Sequence, residues 1–344
     1  MAKIALEKRV EVLLKLGEYW RQDRDFFKAQ LTAAHHQNNW FNPANGWAAM
    51  ENIALDLLVE SEITRFLSAY PECEDLNGEI DTIGIVAAGN IPLVAFHDVL
   101  CGWLSGHKIN VKLSDKDNIL MTMAIDFMKS QCSEEEQEFL VATEKLKNYN
   151  KIIATGSNSS SIYFEQYFGN VKNIIRKNRN SVAVLSGEEG DEDIMQLGLD
   201  IFRYFGLGCR SVSKLYLPKG YDVARVLSVL DNYKDICNHT KYANNFDYNR
   251  SILLLNKEKH YHNDCIALVE NKSLMSRIAT LNYEFYTDIN KVSNHLIKNQ
   301  QSLQCVACNF EINAVKTVLL GHTQKTKIDD FADGVDTMRF LLDN

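Results

Sequence analysis

The chain has 344 residues, 46% of them hydrophobic, enough for two domains with cores of their own. A net charge of -8 argues against nucleic acid as the main partner, because phosphate binding needs a basic surface. Eight irregularly spaced cysteines in so long a chain read as thiols of a reduced, cytoplasmic protein, not as a secreted disulfide framework.

The opening stretch MAKIALEKRVEVLLKLGEYW scatters its charges and lacks a continuous apolar run, so neither a signal peptide nor a membrane span is expected. Leu6, Val10, Leu13 and Leu14 recur at helical spacing, and residues 1 to about 70 read as helical with a break at NNWFNPANGW. From residue 80 the pattern changes. DTIGIVAAG predicts a strand buried on both faces, and IPLVAFHDVLCGWLSG a helix with Pro92 in its first turn. HKINVKLS predicts the next strand and DKDNILMTMAIDFMKSQ the next helix. NKIIATGS is a third strand, running into a helix at SIYFEQYFG. A second series starts near 180 with strand NSVAVLS, helix GDEDIMQLGLDIFRYF and strand SVSKLYLP, followed by helices and a further strand at SILLLN. The tail GHTQKTKIDDFADGVDTMRFLLDN is polar and turn-rich. Such alternation indicates βαβ units and parallel, doubly wound sheets, which bind ligands beyond the carboxyl ends of their strands.

Four short segments fall at such ends. In AAGNIPL, Asn90 stands where a strand hands over to a helix. Its amide can donate to a developing oxyanion or, more commonly for such a residue, its oxygen can cap the helix. In NVKLSD, Lys112 ends a strand and can meet ribose hydroxyls or a phosphate; Ser114 and Asp115 can also simply cap the next helix. In ATGSNSSS, Thr155, Gly156 and Ser157 lead into a serine-rich helix start that can receive an anion or serve only as a cap. The segment carries neither dinucleotide nor P-loop fingerprint. In GLGCRS, Cys209 lies between helix and strand beside Arg210, a setting that can favour a reactive thiolate or hold an inert packed thiol. CVAC (305–308) and HYHNDC (260–265) lack the partner ligands of a zinc site, so no metal is expected. RKNR (176–179) offers charge for a phosphate or is a solvated basic turn.

Taken in order, these segments resemble those of aldehyde dehydrogenases: an N-x-P-L segment for an oxyanion-hole asparagine (Asn90), V-K-x-S for a ribose-contacting lysine (Lys112), T-G-S near the pyrophosphate, and G-x-x-C for the nucleophile (Cys209). From HHQNNWFNP to FADGVDTMRFLL the chain is similar to the acyl-CoA reductase, LuxC-like, branch of that superfamily. The resemblance implies an α/β fold of two doubly wound parallel-sheet domains with the active site in the cleft between them. It implies a cofactor-binding domain over 1–175, a catalytic domain over 176–305 and a closing segment over 306–344. It implies Cys209 and Asn90 as catalytic residues, with Lys112, Ser114, Thr155, Gly156 and Ser157 toward the cofactor. The implied activity is reduction of an acyl-CoA, or another acyl thioester, to an aldehyde with NADPH or alternatively NADH. A homo-oligomer and an acyl-activating enzyme partner belong to the same picture. The E-L-G-G glutamate that activates water in hydrolytic members has no counterpart in NIIRKNRNS, and SLMSRIATLNYE stands where an E-x-F-G-P segment would hold the nicotinamide ribose. Two other readings stay open: a related reductase using an acyl-phosphate or acyl-protein donor, and a non-catalytic scaffold.

Overall fold

The computed structural model describes residues 3–74 and 79–343, which form two units: 1–178 with 326–344, and 179–325. The division falls after residue 178, and the C-terminal stretch is shared: 306–325 belong to the second unit and 326–344 return to the first.

The first unit opens with helices α1 (Leu6–Trp20), α2 (Lys28–Gln37), α3 (Pro43–Asn52) and α4 (Glu60–Leu67). Along α1, Val12, Leu13, Leu16 and Trp20 are buried at helical spacing. Arg9 is buried with them, its guanidinium donating to the carbonyls of Ile4 (3.1 Å), Cys73 (2.6 Å) and Leu104. Then come β1 (Thr82–Val86), α5 (Phe96–Ser105), β2 (Lys108–Lys112), α6 (Asn118–Ser130), β3 (Leu140–Ala142), β4 (Lys151–Thr155), α7 (Asn158–Phe168) and β5 (Lys172–Arg176). The five strands form one parallel sheet in the order β3-β2-β1-β4-β5. The chain works outward from β1 to β3, then returns to the other side of β1 for β4 and β5. β1 and β4 therefore flank the point where strand order reverses, the place where loops at the carboxyl ends diverge and leave a crevice. Val86 pairs with both Lys112 and Ala154, so the ends of β1, β2 and β4 lie level.

In the second unit, β6 (Asn180–Val184), α8 (Asp191–Phe202), β7 (Val212–Pro218), α9 (Val223–Leu230), α10 (Thr240–Leu255), β8 (His260–His262), β9 (Ala267–Glu270), β10 (Thr280–Tyr286), α11 (Ile289–Lys298) and β11 (Leu303–Ala307) build a sheet of order β11-β6-β7-β10-β9-β8. It is parallel except that β8 runs antiparallel to β9 at one edge. Val182, Val184, Tyr216, Val292, Leu296 and Val306 pack into one core cluster.

The expected strand at SILLLN is instead the end of α10. A short apolar run cannot separate strand from helix, and the deciding pattern lies upstream: Tyr242, Phe246, Asn249 and Leu253 are the buried residues of α10, at helical spacing. Pro92 does not open a helix either; it lies in a turn, and α5 begins at Phe96.

The tail closes the first unit with α12 (Thr337–Leu342). His107 accepts the Asp81 N–H at Nδ1 (3.1 Å) and donates from Nε2 to the Leu341 carbonyl (3.1 Å), while Lys151 Nζ donates to the carbonyls of Leu341 (2.7 Å) and Asp343 (2.6 Å). Arg176, at the end of β5, donates to both carboxylate oxygens of Asp98 on α5 (2.7 and 2.5 Å) and to Thr337 Oγ1 (3.0 Å). Both members of that pair are buried. RKNR divides: Arg176 is committed inside and Arg179 donates to the Leu303 carbonyl (3.1 Å), while Lys177 and Asn178 are exposed and Lys177 pairs at the surface with Glu165 (2.9 Å). Asp98→Ala is expected to cost about 3–5 kcal/mol, because it strands a buried guanidinium. Asp98→Ala with Arg176→Met should recover much of that loss, and thermal unfolding of the two variants checks the order.

Candidate active site

The loop after β1 (87–95) is buried except at its tip. Ala87, Gly89, Pro92, Leu93 and Ala95 are buried, Ile91 and Val94 partly so, and Asn90 is exposed. The residue capping α5 is Ala95, without a side-chain bond, so Asn90 is not the cap of that helix. Leu93 takes a left-handed backbone (φ 57°), rare for a branched residue, and its N–H donates to Asp117 Oδ2 (2.6 Å). The loop after β2 supports the same segment twice more. Ala87 N–H donates to the Lys112 carbonyl (3.0 Å), and Gly89 lies so close to Ser114 that a methyl group there would run into its hydroxyl. Neither Ser114 nor Asp115 caps α6. The cap position is Asp117, whose carboxyl serves Leu93 instead of its own helix. Burial pushes that carboxyl well above the usual range, with the Leu93 N–H pulling weakly the other way, and Oδ1 is buried without a partner among the described residues.

The expected cofactor residues lie at the level carboxyl ends of β2 and β4. Lys112 is exposed, and its ammonium forms no ion pair among the described residues. Ser114 is half-buried against Gly89, its hydroxyl accepting the Lys116 N–H (3.3 Å). Thr155 ends β4 with a buried Oγ1 that has no partner among the described residues. Gly156 donates to the Arg176 carbonyl (3.3 Å), and Ser157 caps α7 by accepting the Ser160 N–H (3.1 Å). The hydroxyls of Ser159 and Ser160 lie 2.9 Å from that of Ser157. An exposed ammonium and a buried hydroxyl, both without a partner among the described residues, and a capped helix start with serine donors fit the phosphates and ribose of a nicotinamide dinucleotide.

In the second unit, α8 ends at Phe202 and the chain turns through Tyr204, Phe205 and Gly206, all left-handed (φ 55°, 58° and 72°). Glycine occupies that region freely; Tyr204 and Phe205 are held there by burial. Cys209 follows, half-buried, in a tight turn closed by the Ser211 N–H on the Gly208 carbonyl (3.0 Å) just before β7. Ser181, on β6, donates its hydroxyl to the Cys209 carbonyl (2.9 Å) and lies 3.0 Å from Cys305 Sγ. Arg210 reaches the Thr323 carbonyl (3.4 Å). The 321–323 turn is itself held by Asp200, which accepts from Gly321 N (2.6 Å), Thr323 N (3.0 Å) and Thr323 Oγ1 (2.8 Å). Burial drives the Cys305 thiol up to about 11, with Arg210 opposing, and Cys308 likewise to about 11. Both thiols of the C-x-x-C pair are thus pushed away from the thiolate form by burial. No group of three or more histidine, cysteine or acidic side chains among the described residues is placed to hold a metal.

Glu189 lies just after β6, and both its oxygens are engaged: Oε1 accepts from Ser186 N (2.6 Å) and Ser186 Oγ (2.9 Å), Oε2 from Gly187 N (2.9 Å). SLMSRIATLNYE is anchored by its carbonyls. Ser213 Oγ donates to Leu274 O (2.7 Å), Asn282 Nδ2 to Ser273 O (3.0 Å) and Met275 O (2.9 Å), and buried Lys214 to Lys272 O (2.8 Å).

No protein-family model and no curated protein matches the sequence. Solved structures do match. Aldehyde dehydrogenase 21 from Physcomitrella patens, solved with its reaction product succinate, has a TM-score of 0.67 at 12% identity, over 99% of this chain and 84% of that one. An aldehyde dehydrogenase from Bacillus cereus in complex with NAD+ has 0.65 at 10%, over 89% and 72%. The chain has the aldehyde dehydrogenase fold. An NADP-dependent glyceraldehyde-3-phosphate dehydrogenase from Bacillus halodurans, complexed with NADP, follows at 0.61 and 10%, over 89% and 74%.

Ser181, Asp117 and Asp200 escaped the sequence reading, since a lone serine in a strand and an aspartate near a helix start carry no spacing signal for contacts to distant loops. Asp117 carries a testable consequence. Its folded carboxyl keeps its proton at pH values where the unfolded chain has lost it, so it lowers stability progressively as pH rises above 3.8. Asp117→Asn removes that dependence. The variant's melting temperature relative to the parent is expected to rise between pH 3.5 and pH 7, and a constant difference would refute the buried neutral carboxyl.

Proposed function

We propose that the protein is a nicotinamide-dependent oxidoreductase that reduces an acyl thioester, an acyl-CoA in the first instance, to an aldehyde through an S-acyl intermediate on Cys209. The observation that carries this reading is Cys209 itself: a half-buried thiol in a fixed turn at the head of β7, on the aldehyde dehydrogenase fold. The Cys209 thiolate adds to the thioester carbonyl, and the oxygen takes up the negative charge. The Asn90 side-chain amide and the Cys209 backbone N–H donate to that oxyanion, one such donor being worth about 2.7–4 kcal/mol. Collapse breaks the bond to the carrier sulfur, which leaves as a thiolate and takes a proton, and Cys209 carries the acyl group. When bound, the reduced cofactor supplies hydride to the acyl carbon. Asn90 again meets the oxygen as charge builds, Cys209 departs as thiolate, and the aldehyde is released.

Lys112, Ser114, Thr155, Gly156 and Ser157 would hold the cofactor. NADPH is the first choice, with Lys112 toward a 2′-phosphate, and NADH is the alternative that exposed Asp115 favours. Absence of a carboxylate from NIIRKNRNS, together with the engagement of both Glu189 oxygens, supports hydride over water as the acceptor of the acyl group. A homo-oligomer in a reducing cytoplasm, served by an acyl-activating enzyme, completes the proposal; no helix among the described residues is long and apolar enough to cross a membrane.

NADPH oxidation with acyl-CoA of graded chain length should yield aldehyde. Cys209→Ala should lose about three orders of magnitude or more in kcat, and Asn90→Ala about 10²–10³-fold. Normal turnover in Cys209→Ala sinks the reading, and acyl-phosphate and acyl-protein donors in the same assay separate the related reductases. Lys112→Ala should raise the KM for NADPH more than that for NADH; equal effects would remove Lys112 from the 2′-phosphate.

A further inference from the structure

We propose that Asp117 is a positioning residue that acts through Asn90: its carboxyl fixes the left-handed turn at Leu93 and thereby the backbone that presents the Asn90 amide. The inference rests on the role given to Asn90 above.

Three observations converge on it. Asp117 occupies the cap position of α6 yet makes no side-chain bond to its own helix. An aspartate at that position ordinarily accepts from the second or third helical N–H, and giving up such a cap costs about 1 kcal/mol. The carboxyl instead reaches across to a residue 24 positions earlier, Leu93, at 2.6 Å. Second, the recipient is strained. Leu93 is buried with φ 57°, a conformation that an L-residue with a branched side chain holds only when its surroundings impose it. Third, the arrangement is costly where it stands. Asp117 is 2% exposed, Oδ1 has no partner among the described residues, and no charged side chain contributes to the shift of its carboxyl. Burying a polar group costs stability unless it is hydrogen-bonded, and among the described residues only one of the two Asp117 oxygens is.

The direction of action follows from the loop. Leu93 is three residues beyond Asn90, and its carbonyl accepts the Phe96 N–H (2.9 Å), which starts α5. On the near side of Asn90, Gly89 is pressed against Ser114. Asn90 is thus the exposed member of a segment clamped on both sides by the β2–α6 loop. That loop is in turn held by Asn38, whose Nδ2 donates to the Lys116 carbonyl (3.3 Å). Releasing Leu93 frees one jaw of the clamp and leaves α5 and β1 in place. The amide then samples orientations away from the oxyanion, and the loss falls on kcat more than on KM.

The test combines amide exchange with a double-mutant cycle in the full chain. In Asp117→Ala, exchange in the peptide covering 87–96 should quicken at least tenfold. In Asp117→Asn, whose side-chain oxygen can still accept the Leu93 N–H, it should stay near the parent value. Unchanged exchange in Asp117→Ala overturns the tether, whatever the enzyme does. In the acyl-CoA assay, Asp117→Ala should lose about 10²-fold in kcat with KM changed less than threefold, and Asp117→Asn should restore most of it. Because Asp117 acts through Asn90, Asn90→Ala with Asp117→Ala should be no slower than Asn90→Ala alone. Additive losses overturn the positioning role and make Asp117 a structural residue. If the parent yields no aldehyde while the exchange results hold, the functional reading falls and the tether stands. If Cys209→Ala and Asn90→Ala are inactive but Asp117→Ala is not, only the present inference falls.

Discussion

The buried pair of Asp98 and Arg176 sets the frame of the first unit. Asp98 belongs to α5, the helix that follows the Asn90 loop; Arg176 ends the last strand before the chain leaves; Thr337, the third member, opens α12. A guanidinium only 4% exposed cannot be left without its carboxylate, so three stretches far apart in sequence must meet at one point. Apolar surface alone would tolerate small slips of the tail against the sheet. The directional bonds around this pair do not. His97 Nε2 bonds the Ile328 carbonyl (2.8 Å), which leaves Nδ1 to receive the Cys101 thiol (3.7 Å), and Tyr70 donates to Asp336 (2.9 Å). Return of 326–344 to the first unit is therefore specified residue by residue.

A second device recurs in both units: a carboxyl group turned onto backbone N–H groups of a loop. Asp117 serves Leu93, Asp200 serves Gly321 and Thr323, and Glu189 serves Ser186 and Gly187. A loop cannot use the hydrogen bonds of helix or sheet, yet its buried amides still need acceptors. A carboxyl offers two oxygens on a short stem and reaches an amide that no neighbouring strand can. Asp117 and Asp200 do this with raised pKa values, the signature of burial outweighing the bonds gained. The loop after β1 and the 321–323 turn are thus held in place at some expense in stability.

Much of this architecture was legible because it rests on local periodicity. The runs at 82–86 and 151–155 became central strands of one sheet, since strands buried on both faces need near-continuous apolar residues, and KINVK at 108–112 joined them by alternation, burying Ile109 and Val111. Cys209 was placed correctly between helix and strand. The misreadings came where a local pattern was ambiguous or a distant partner decided. SILLLN was too short to reveal that α10 already held a helical stripe. Asn90 looked like a cap because caps are common at strand-to-helix junctions, and the left-handed turn at Leu93 that displaces the helix start depends on Asp117, 24 residues on. Neither reading open for RKNR placed Arg176 inside, because nothing in its neighbourhood announces Asp98.

For the acyl-cysteine proposed at Cys209, two fates are conceivable. A thioester on a cysteine is lost to water when a base can reach a water molecule beside it, and kept for another nucleophile when none can. Three of the carboxylates between 186 and 209 are already engaged with backbone amides: Glu189 by both oxygens, Asp193 by the Gly190 N–H (2.9 Å), and Asp200 by the 321–323 turn. Their oxygens are committed to backbone amides of other turns, and burial holds the Asp200 carboxyl above its usual range against the pull of those donors. What surrounds the Cys209 turn instead is a hydroxyl on its carbonyl, a protonated buried thiol at Cys305 and the Arg210 guanidinium leaning on Thr323. These groups hold the turn and can donate hydrogen bonds, which accords with the proposal that an acyl group on Cys209 passes to hydride and not to water.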